Sequence, residues 1–506
     1  MSAAFHFGSR TLTREALGER ARRAASGLQA LGAGPERAVA LVLRNDLAFF
    51  EATSACRLAG ACVVPVNWHL SAEELRFVLS DCRARVVVAH ADLLERVRPA
   101  LPADCELLVV DTPQEVAAAY GLRAPAVDGV PSWDAWVQAQ APQPAAADPP
   151  GFNMLYTSGT TGHPKGVRRV PMTAQVQDAY FASIAHAFGL RAGMRALVTG
   201  PLYHSSPYAH AHVGLWLQAQ QWLMPRFDPE LLLRLIECHR ITHMHLVPTM
   251  FVRLLRLPAA VRERYDLSSV ECVAHGAAPC PESAKRDMIA WWGPVIREYY
   301  GSTEASVLTA LDAGEWLRKP GSVGPARPGV RLEVRDEAGR ALPPGEEGEI
   351  WGHLDCAPQF AYHGLAAERA DIERDGLITN GDVGCLDEDG YLYIRDRKRD
   401  MIISGGVNIY PAEIEGVLLS HPQVADCAVF GIPDEEFGEA IAAAVQRVPG
   451  ATVDAPALAR FLAGHLAGFK IPKLLDFRDE LPRLDNGKIY KRRLREPYWL
   501  AAGRRI

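Results

Sequence analysis

Ten consecutive residues concentrate the groups that grip phosphate. The run Thr157-Ser158-Gly159-Thr160-Thr161-Gly162-His163-Pro164-Lys165-Gly166 holds three glycines, four hydroxyl side chains and one lysine. Glycines let backbone amides approach oxygens closely, while hydroxyls and an ammonium group donate to negative charge. Clusters of Gly, Ser, Thr and Pro are more often plain surface turns, so composition alone does not decide. The common P-loop spacing is not met: two residues separate Gly159 from Gly162, and Lys165 is followed by Gly rather than Ser or Thr. A short apolar strand, Phe152 to Tyr156, runs straight into the loop.

Four further segments carry usable chemistry. Tyr299-Tyr300-Gly301-Ser302-Thr303-Glu304 offers an aromatic face for a base and a hard carboxylate oxygen for magnesium. Thr379-Asn380-Gly381-Asp382-Val383-Gly384 places one carboxylate in a glycine turn. The charge run Asp396-Arg397-Lys398-Arg399-Asp400 is followed by Ser404-Gly405-Gly406-Val407-Asn408. Pro482 to Lys488 ends in a lysine before the basic stretch Lys491, Arg492 and Arg493. Taken singly, these read as a strand end, a turn, a solvated charged face and a basic tail.

Together and in this order they resemble the motifs of the adenylate-forming superfamily, which comprises acyl-CoA synthetases, peptide-synthetase adenylation domains and firefly luciferase. The string Tyr156 to Gly166 resembles its signature loop, and the five motifs span nearly the whole chain. The resemblance implies that Thr157, Ser158, Gly159, Thr160, Thr161 and Gly162 wrap the phosphates of ATP. It places Gly276, Ala277, Ala278 and Pro279 on the adenine opposite Tyr300, beside Glu298, Tyr299, Gly301 and Ser302. Asp382 accepts from the ribose hydroxyls and Arg397 contacts the ribose. Glu304 and Thr157 hold Mg²⁺, and the catalytic set is Lys488, Thr303, Glu304, His204 and Lys165. Lys488 swings in to stabilise charge during adenylate formation. Arg399 aligns with the hinge, where many relatives carry Asp or Lys; Arg keeps a polar hinge but departs from that pattern.

The same resemblance describes the remaining pockets. The segment Pro201 to Pro207 borders the carboxylate, and His204 stands where amino-acid-activating relatives carry an aspartate for the substrate ammonium. Tyr203, His204, Tyr208, Val247, Phe251 and Gly301 are the expected acyl pocket. The small residues Gly276, Ala277, Ala278 and Gly301 leave room for a fatty, aromatic or alicyclic acid rather than acetate. Gly405, Gly406, Val407, Phe469, Lys470 and Lys473 are the expected coenzyme A contacts; Ile471 replaces an arginine found in an aryl-CoA ligase relative. The implied activity is an ATP-dependent, AMP- and pyrophosphate-forming acyl-CoA ligase using ATP, Mg²⁺ and coenzyme A. Loading of an acyl carrier protein and a luciferase-type oxygenase are the alternatives.

These groups need elements to position them. Residues 14–31, 48–58 and 72–79 read as helices alternating with strands at 38–43, 61–66 and 85–89, the pattern of parallel α/β layers. From 321 to 390 short strands with Gly, Pro and Asp turns predict a β-rich subdomain. The expected fold is therefore α/β: a large N-terminal adenylation domain over 1–395, a hinge at 396–400, and a small mobile α/β domain over 401–506 carrying the catalytic lysine. Its boundary rests mainly on the resemblance.

Bulk properties narrow the class. A chain of 506 residues exceeds one compact core. Hydrophobic residues at 48% and charged residues at 23% are ordinary globular values. Lys and Arg total 54 against 60 Asp and Glu, a net charge of −6 that disfavours nucleic-acid partners. The ten cysteines form no C-x-x-C pair, so neither a disulfide framework nor a zinc site is expected. His210, His212, His239, His243 and His245 are expected to be neutral hydrogen-bonding groups rather than metal ligands. Met1 to Arg10 lacks a secretory pattern, no run is long enough to span a bilayer, and Val213–Leu217 with Trp222–Leu223 reads as a buried helix rather than a membrane contact. A cytoplasmic enzyme, with a homodimer as the oligomer considered, is the expectation.

Overall fold

The computed structural model describes residues 3–122, 129–144, 152–157, 164–405, 407–483 and 489–502. Among them, strands assemble into five sheets. An eight-stranded sheet runs in the order Ser306–Asp312, Ile296–Ser302, Cys272–His275, His243–Leu246, Arg195–Val198, Gln220–Leu223, Ala4–Phe7, Arg10–Thr13. It is parallel except at its two edge pairs. A four-stranded parallel sheet holds Val39–Val42 between Val63–Pro65 and Val86–His90. Residues 39–42 and 86–89 of its two central strands are all apolar and buried, which is why these strands read as unbroken hydrophobic runs.

The helices Arg14–Ala30, Leu47–Ala59 and Ala72–Asp81 lie where the periodicity predicts them. The last begins on a full capping box, Ser71 and Glu74 each bonding the other's backbone N–H. One local reading differs from the structure. Val213 to Leu217 ends the helix Ser205–Trp216, but Trp222 and Leu223 belong to a strand of the eight-stranded sheet. Their apolarity serves that buried sheet, and among the described residues no helix is long and apolar enough to cross a membrane.

The β-rich region is an antiparallel six-stranded sheet containing Leu377–Leu386 and Tyr391–Arg397. The next sheet has five strands, starts at Ile402–Ser404, and encloses its own core around Ile414, Leu418, Val429 and Val445. Between the two lies the turn that contains Arg399. A small antiparallel sheet, Met154–Thr157, Lys165–Arg169 and Phe360–Tyr362, is hydrogen-bonded separately and packs Val167, Phe360 and Tyr362 against Leu308 and Ile378 of the two large sheets. Its first hairpin places Thr157 directly opposite Lys165, so the phosphate-type loop bridges two adjacent strand ends.

Candidate active site

One continuous cleft of about 3150 Å³ takes in residues from all these regions. That exceeds the several hundred Å³ of an ordinary ligand pocket and suits several substrates in line. The parallel strands Arg195–Val198, His243–Leu246, Cys272–His275 and Ile296–Ser302 all deliver their carboxyl ends to it, as ligand sites in open α/β sheets do.

Strand register brings together the residues expected to meet the ribose. Asp382 and Arg397 are direct partners in the antiparallel ladder. Arg397 Nε lies 3.2 Å from Asp382 Oδ1, and the Tyr300 hydroxyl donates to Asp382 Oδ2 at 2.7 Å. Burial and the adjoining carboxylate push the Tyr300 phenol well up, which keeps it a proton donor. Tyr300 comes from the eight-stranded sheet, where a register shift follows it at Gly301. A side chain on Gly301 would run into the Ser306 carbonyl, so the close approach requires glycine. Ala277, Ala278 and Pro279 line the cleft, and Ala277 holds a left-handed φ of 68°. Gly276 lies beneath them, buried against Tyr299. Glu298 also reaches the cleft; it accepts from the buried Lys285 ammonium, and burial draws the Glu298 carboxyl up and the Lys285 ammonium down.

The phosphate end draws on the small sheet and on the turn after Ile296–Ser302. Lys165 forms an ion pair with Glu368 and lies 5.5 Å from the centre of the Tyr362 ring. Tyr362 donates to Glu304 Oε1 at 3.0 Å, and the Thr303 and Ser205 hydroxyls lie 3.3 Å apart. Among the described residues no group of three or more His, Cys, Asp or Glu could hold a metal ion alone. Magnesium does not require one: it commonly takes one or two carboxylates and completes its shell with phosphate oxygens and water. Glu304 and the Thr157 hydroxyl, both on the cleft, are oxygen donors of that kind, so the residues fit the ion. Ser158, Gly159, Thr160, Thr161 and Gly162 lie outside the described residues.

At the acyl end, His204 is the N-cap residue of the helix Ser205–Trp216. Its approach is held by Asn45, whose amide donates to the carbonyls of Gly200 and Met224 at 3.0 and 3.1 Å and accepts from Leu202 N at 3.0 Å. Tyr203, Tyr208, Val247 and Gly301 line the cleft. Phe251 does not: it is fully buried against His275, 5.0 Å between ring centres. Tyr299 closes the wall, its hydroxyl 2.8 Å from His245 Nε2 and its ring 4.6 Å from Phe188. Burial lowers His245 to about 4 and His210 to about 3, so both imidazoles are neutral at physiological pH.

On the thiol side, Gly405 adopts a φ of 57° and donates to the Phe437 carbonyl at 2.8 Å. Val407, Phe437 and Phe469 are exposed at 45%, 41% and 57%, an apolar surface beside the cleft. Lys470 pairs with Glu413 at 2.7 Å and Lys473 with Asp434 at 2.9 Å. Arg399 is exposed, and its carbonyl accepts from Arg495 Nη1 at 3.4 Å. Gly406 and Lys488 lie outside the described residues. The chain on either side of Lys488 is tethered: Arg483 bridges Ile489 across a short ladder, and Lys491 pairs with Glu415 at 2.8 Å. Arg483, Ile489 and Tyr490 line the same cleft as Tyr300 and Thr303.

Asn45, Arg169, Tyr362, Glu368 and Phe437 reach or support the site without standing out in the sequence. Each acts through a partner distant in the chain, and a tyrosine or arginine on a short strand carries no local mark of that.

Known proteins match this chain along nearly its whole length. The AMP-binding enzyme family matches residues 2–355, and the AMP-binding enzyme C-terminal domain matches 413–488. A fatty acid–[acyl-carrier-protein] ligase, ScoC, of Streptomyces coeruleorubidus is 34% identical over 98% of this chain and 93% of its own length. A feruloyl-CoA synthase of Amycolatopsis sp is likewise 34% identical, over 98% of this chain and 96% of its own. The crystal structure of ATP-bound MatB from Rhodopseudomonas palustris superposes with a TM-score of 0.85 at 29% identity, covering 98% of this chain and 96% of that one.

Proposed function

Because the chain belongs to the AMP-binding enzyme family, we propose that it is an ATP-dependent acyl-CoA ligase for a hydrophobic fatty, aromatic or alicyclic acid. The observation that carries this reading is the convergence of Tyr300, Asp382, Arg397, Lys165 and Glu304, from separate sheets, on one cleft. A carboxylate resists attack by a thiol because its charge and resonance make it a poor electrophile. In the first step its oxygen bonds to the α-phosphorus of ATP and the bond to pyrophosphate breaks, giving acyl-AMP. Asp382, Arg397 and Tyr300 seat the nucleoside. The loop from Thr157 to Lys165 and Lys488 would stabilise the charge that moves onto pyrophosphate, where preorganised donors act most strongly. Glu304 and Thr157 would hold Mg²⁺, which when bound neutralises phosphate charge. His204 borders the carboxylate, and with a histidine rather than an acidic side chain there the site lacks a partner for an α-ammonium group.

In the second step the thiol of coenzyme A attacks the acyl carbonyl, AMP leaves with its electron pair, and the thiol proton is released. Gly405, Gly406 and Val407 would then line the thiol's path after the C-terminal domain turns about Arg399. Phe469, Phe437, Lys470 and Lys473 would receive the nucleotide end of the cofactor. ATP and coenzyme A are met in the cytoplasm, where we place the enzyme.

The similarity to ScoC motivates a second acceptor, the phosphopantetheine of a carrier protein. Mass spectrometry of reactions holding ATP, an acid panel and either coenzyme A or a holo carrier protein tests the choice. Acyl-CoA is the expected product; acylation of the carrier protein alone would replace coenzyme A as acceptor.

A further inference from the structure

Arg169 closes the strand Lys165–Arg169, which leads out of the phosphate-type loop. Its side chain turns toward the turn that carries Glu304. Nη1 donates to the main-chain carbonyls of Glu304 at 3.3 Å and Pro358 at 3.0 Å, and Nη2 donates to the carbonyl of Thr303. Phe360 is its direct partner on the neighbouring strand, and the guanidinium carbon lies 5.7 Å from that ring's centre. Taking even part of a cation out of water is costly unless its donors find partners, and here carbonyls accept from both terminal nitrogens of the half-buried guanidinium. A guanidinium suits the task because its planar fork reaches several acceptors at once; an ammonium is a single point.

The same strand pair reaches Glu304 a second time. Tyr362, opposite Val167 in that ladder, donates its hydroxyl to the Glu304 carboxylate at 3.0 Å. Main chain and side chain of Glu304 are thus both held by the sheet whose hairpin presents Thr157 and Lys165.

We propose that Arg169 is a positioning residue that docks the Thr303–Glu304 turn onto the phosphate-loop sheet, so that the Glu304 carboxylate meets the magnesium ion of Mg·ATP, with Tyr362 fixing its rotamer. This rests on the reading of Glu304 as a magnesium carboxylate. Outer partners of metal ligands commonly change metal affinity by about 10- to 100-fold when removed.

The test measures Mn²⁺ binding by electron paramagnetic resonance on the full-length protein with a non-hydrolysable ATP analogue. Glu304→Gln serves as the reference. Arg169→Met should weaken Mn²⁺ binding about ten-fold, Arg169→Lys by less, and Tyr362→Phe about three-fold. The KM for the acid, and thioester formation from supplied acyl-adenylate, should stay within about two-fold of wild type in all three, since the metal serves the first step. Wild-type Mn²⁺ affinity in both Arg169→Lys and Tyr362→Phe, with Glu304→Gln impaired, overturns the proposal even if Arg169→Met does not fold. Parallel loss of acid KM and thioester formation also overturns it, because Arg169 would then serve the fold in general. Unchanged Mn²⁺ affinity in Glu304→Gln removes the metal reading itself, and the proposal with it.

Discussion

The two ends of the nucleotide site are built by different means. At the ribose end, one antiparallel ladder sets Asp382 opposite Arg397, and only Tyr300 must arrive from elsewhere. At the phosphate end, Lys165, Glu304 and Tyr362 come from three stretches of chain, and Lys165 holds Glu368 where it is expected to meet phosphate. Register alone sets Asp382 against Arg397 and the Lys165 strand beside the Tyr362 strand, whereas Tyr300 at one end and Glu304 at the other arrive by docking between sheets. On the proposed reading the first arrangement is preformed, and in the second Lys165 would exchange Glu368 for phosphate when ATP enters.

Substitutions at each end should separate the two. The largest effect belongs to Lys488→Ala, which removes an incoming cation at the phosphate end: acid-dependent ATP–pyrophosphate exchange should fall by about 10²–10³-fold, while thioester formation from supplied acyl-adenylate changes little. Equal loss of both half-reactions would show that this lysine does not belong to the first step alone. Asp382→Ala should raise the KM for ATP by about 10- to 100-fold, the range for losing hydrogen bonds to a charged group, with the acid KM unchanged. Glu368→Gln should act in the opposite direction. Freeing Lys165 from a partly exposed ion pair should lower the KM for Mg·ATP by about two- to four-fold, and a higher KM would mean that Glu368 assists binding. A change of comparable size and opposite sign is expected for Tyr300→Phe, which keeps the ring and loses one neutral donor: about a three-fold rise in the KM for ATP, read by initial-rate kinetics.

The same contrast explains what the sequence made legible. The Asp382 and Arg397 segments stand out because each carries a short motif, and a ladder converts motif order into proximity. The alternating pattern over residues 14–89 also reads correctly, since period and burial agree in those helices and parallel strands. Phe251 shows where such reading stops. The helix Pro248–Leu255 buries Pro248, Phe251 and Leu254 along one face. Phe251 and Leu254 stay out of the cleft, while Val247, Pro248, Thr249, Met250, Val252 and Arg253 reach it. A segment can be assigned to a pocket from its motif, but the rotation of its helix decides which side chain arrives. Trp222 and Leu223 read as helix on apolarity alone, although a run that short fits a buried strand equally well. Arg169 was illegible for a different reason: its partners are backbone carbonyls more than a hundred residues away, which leave no trace in residue types.

Acid-dependent exchange of labelled pyrophosphate into ATP decides whether this cleft activates a carboxylate by joining it to AMP. Label should enter ATP only when a suitable acid is present, and Asp382→Ala should slow the exchange. Absence of exchange with every acid of a broad panel despite ATP binding, or release of ADP and phosphate in place of AMP and pyrophosphate, would contradict it.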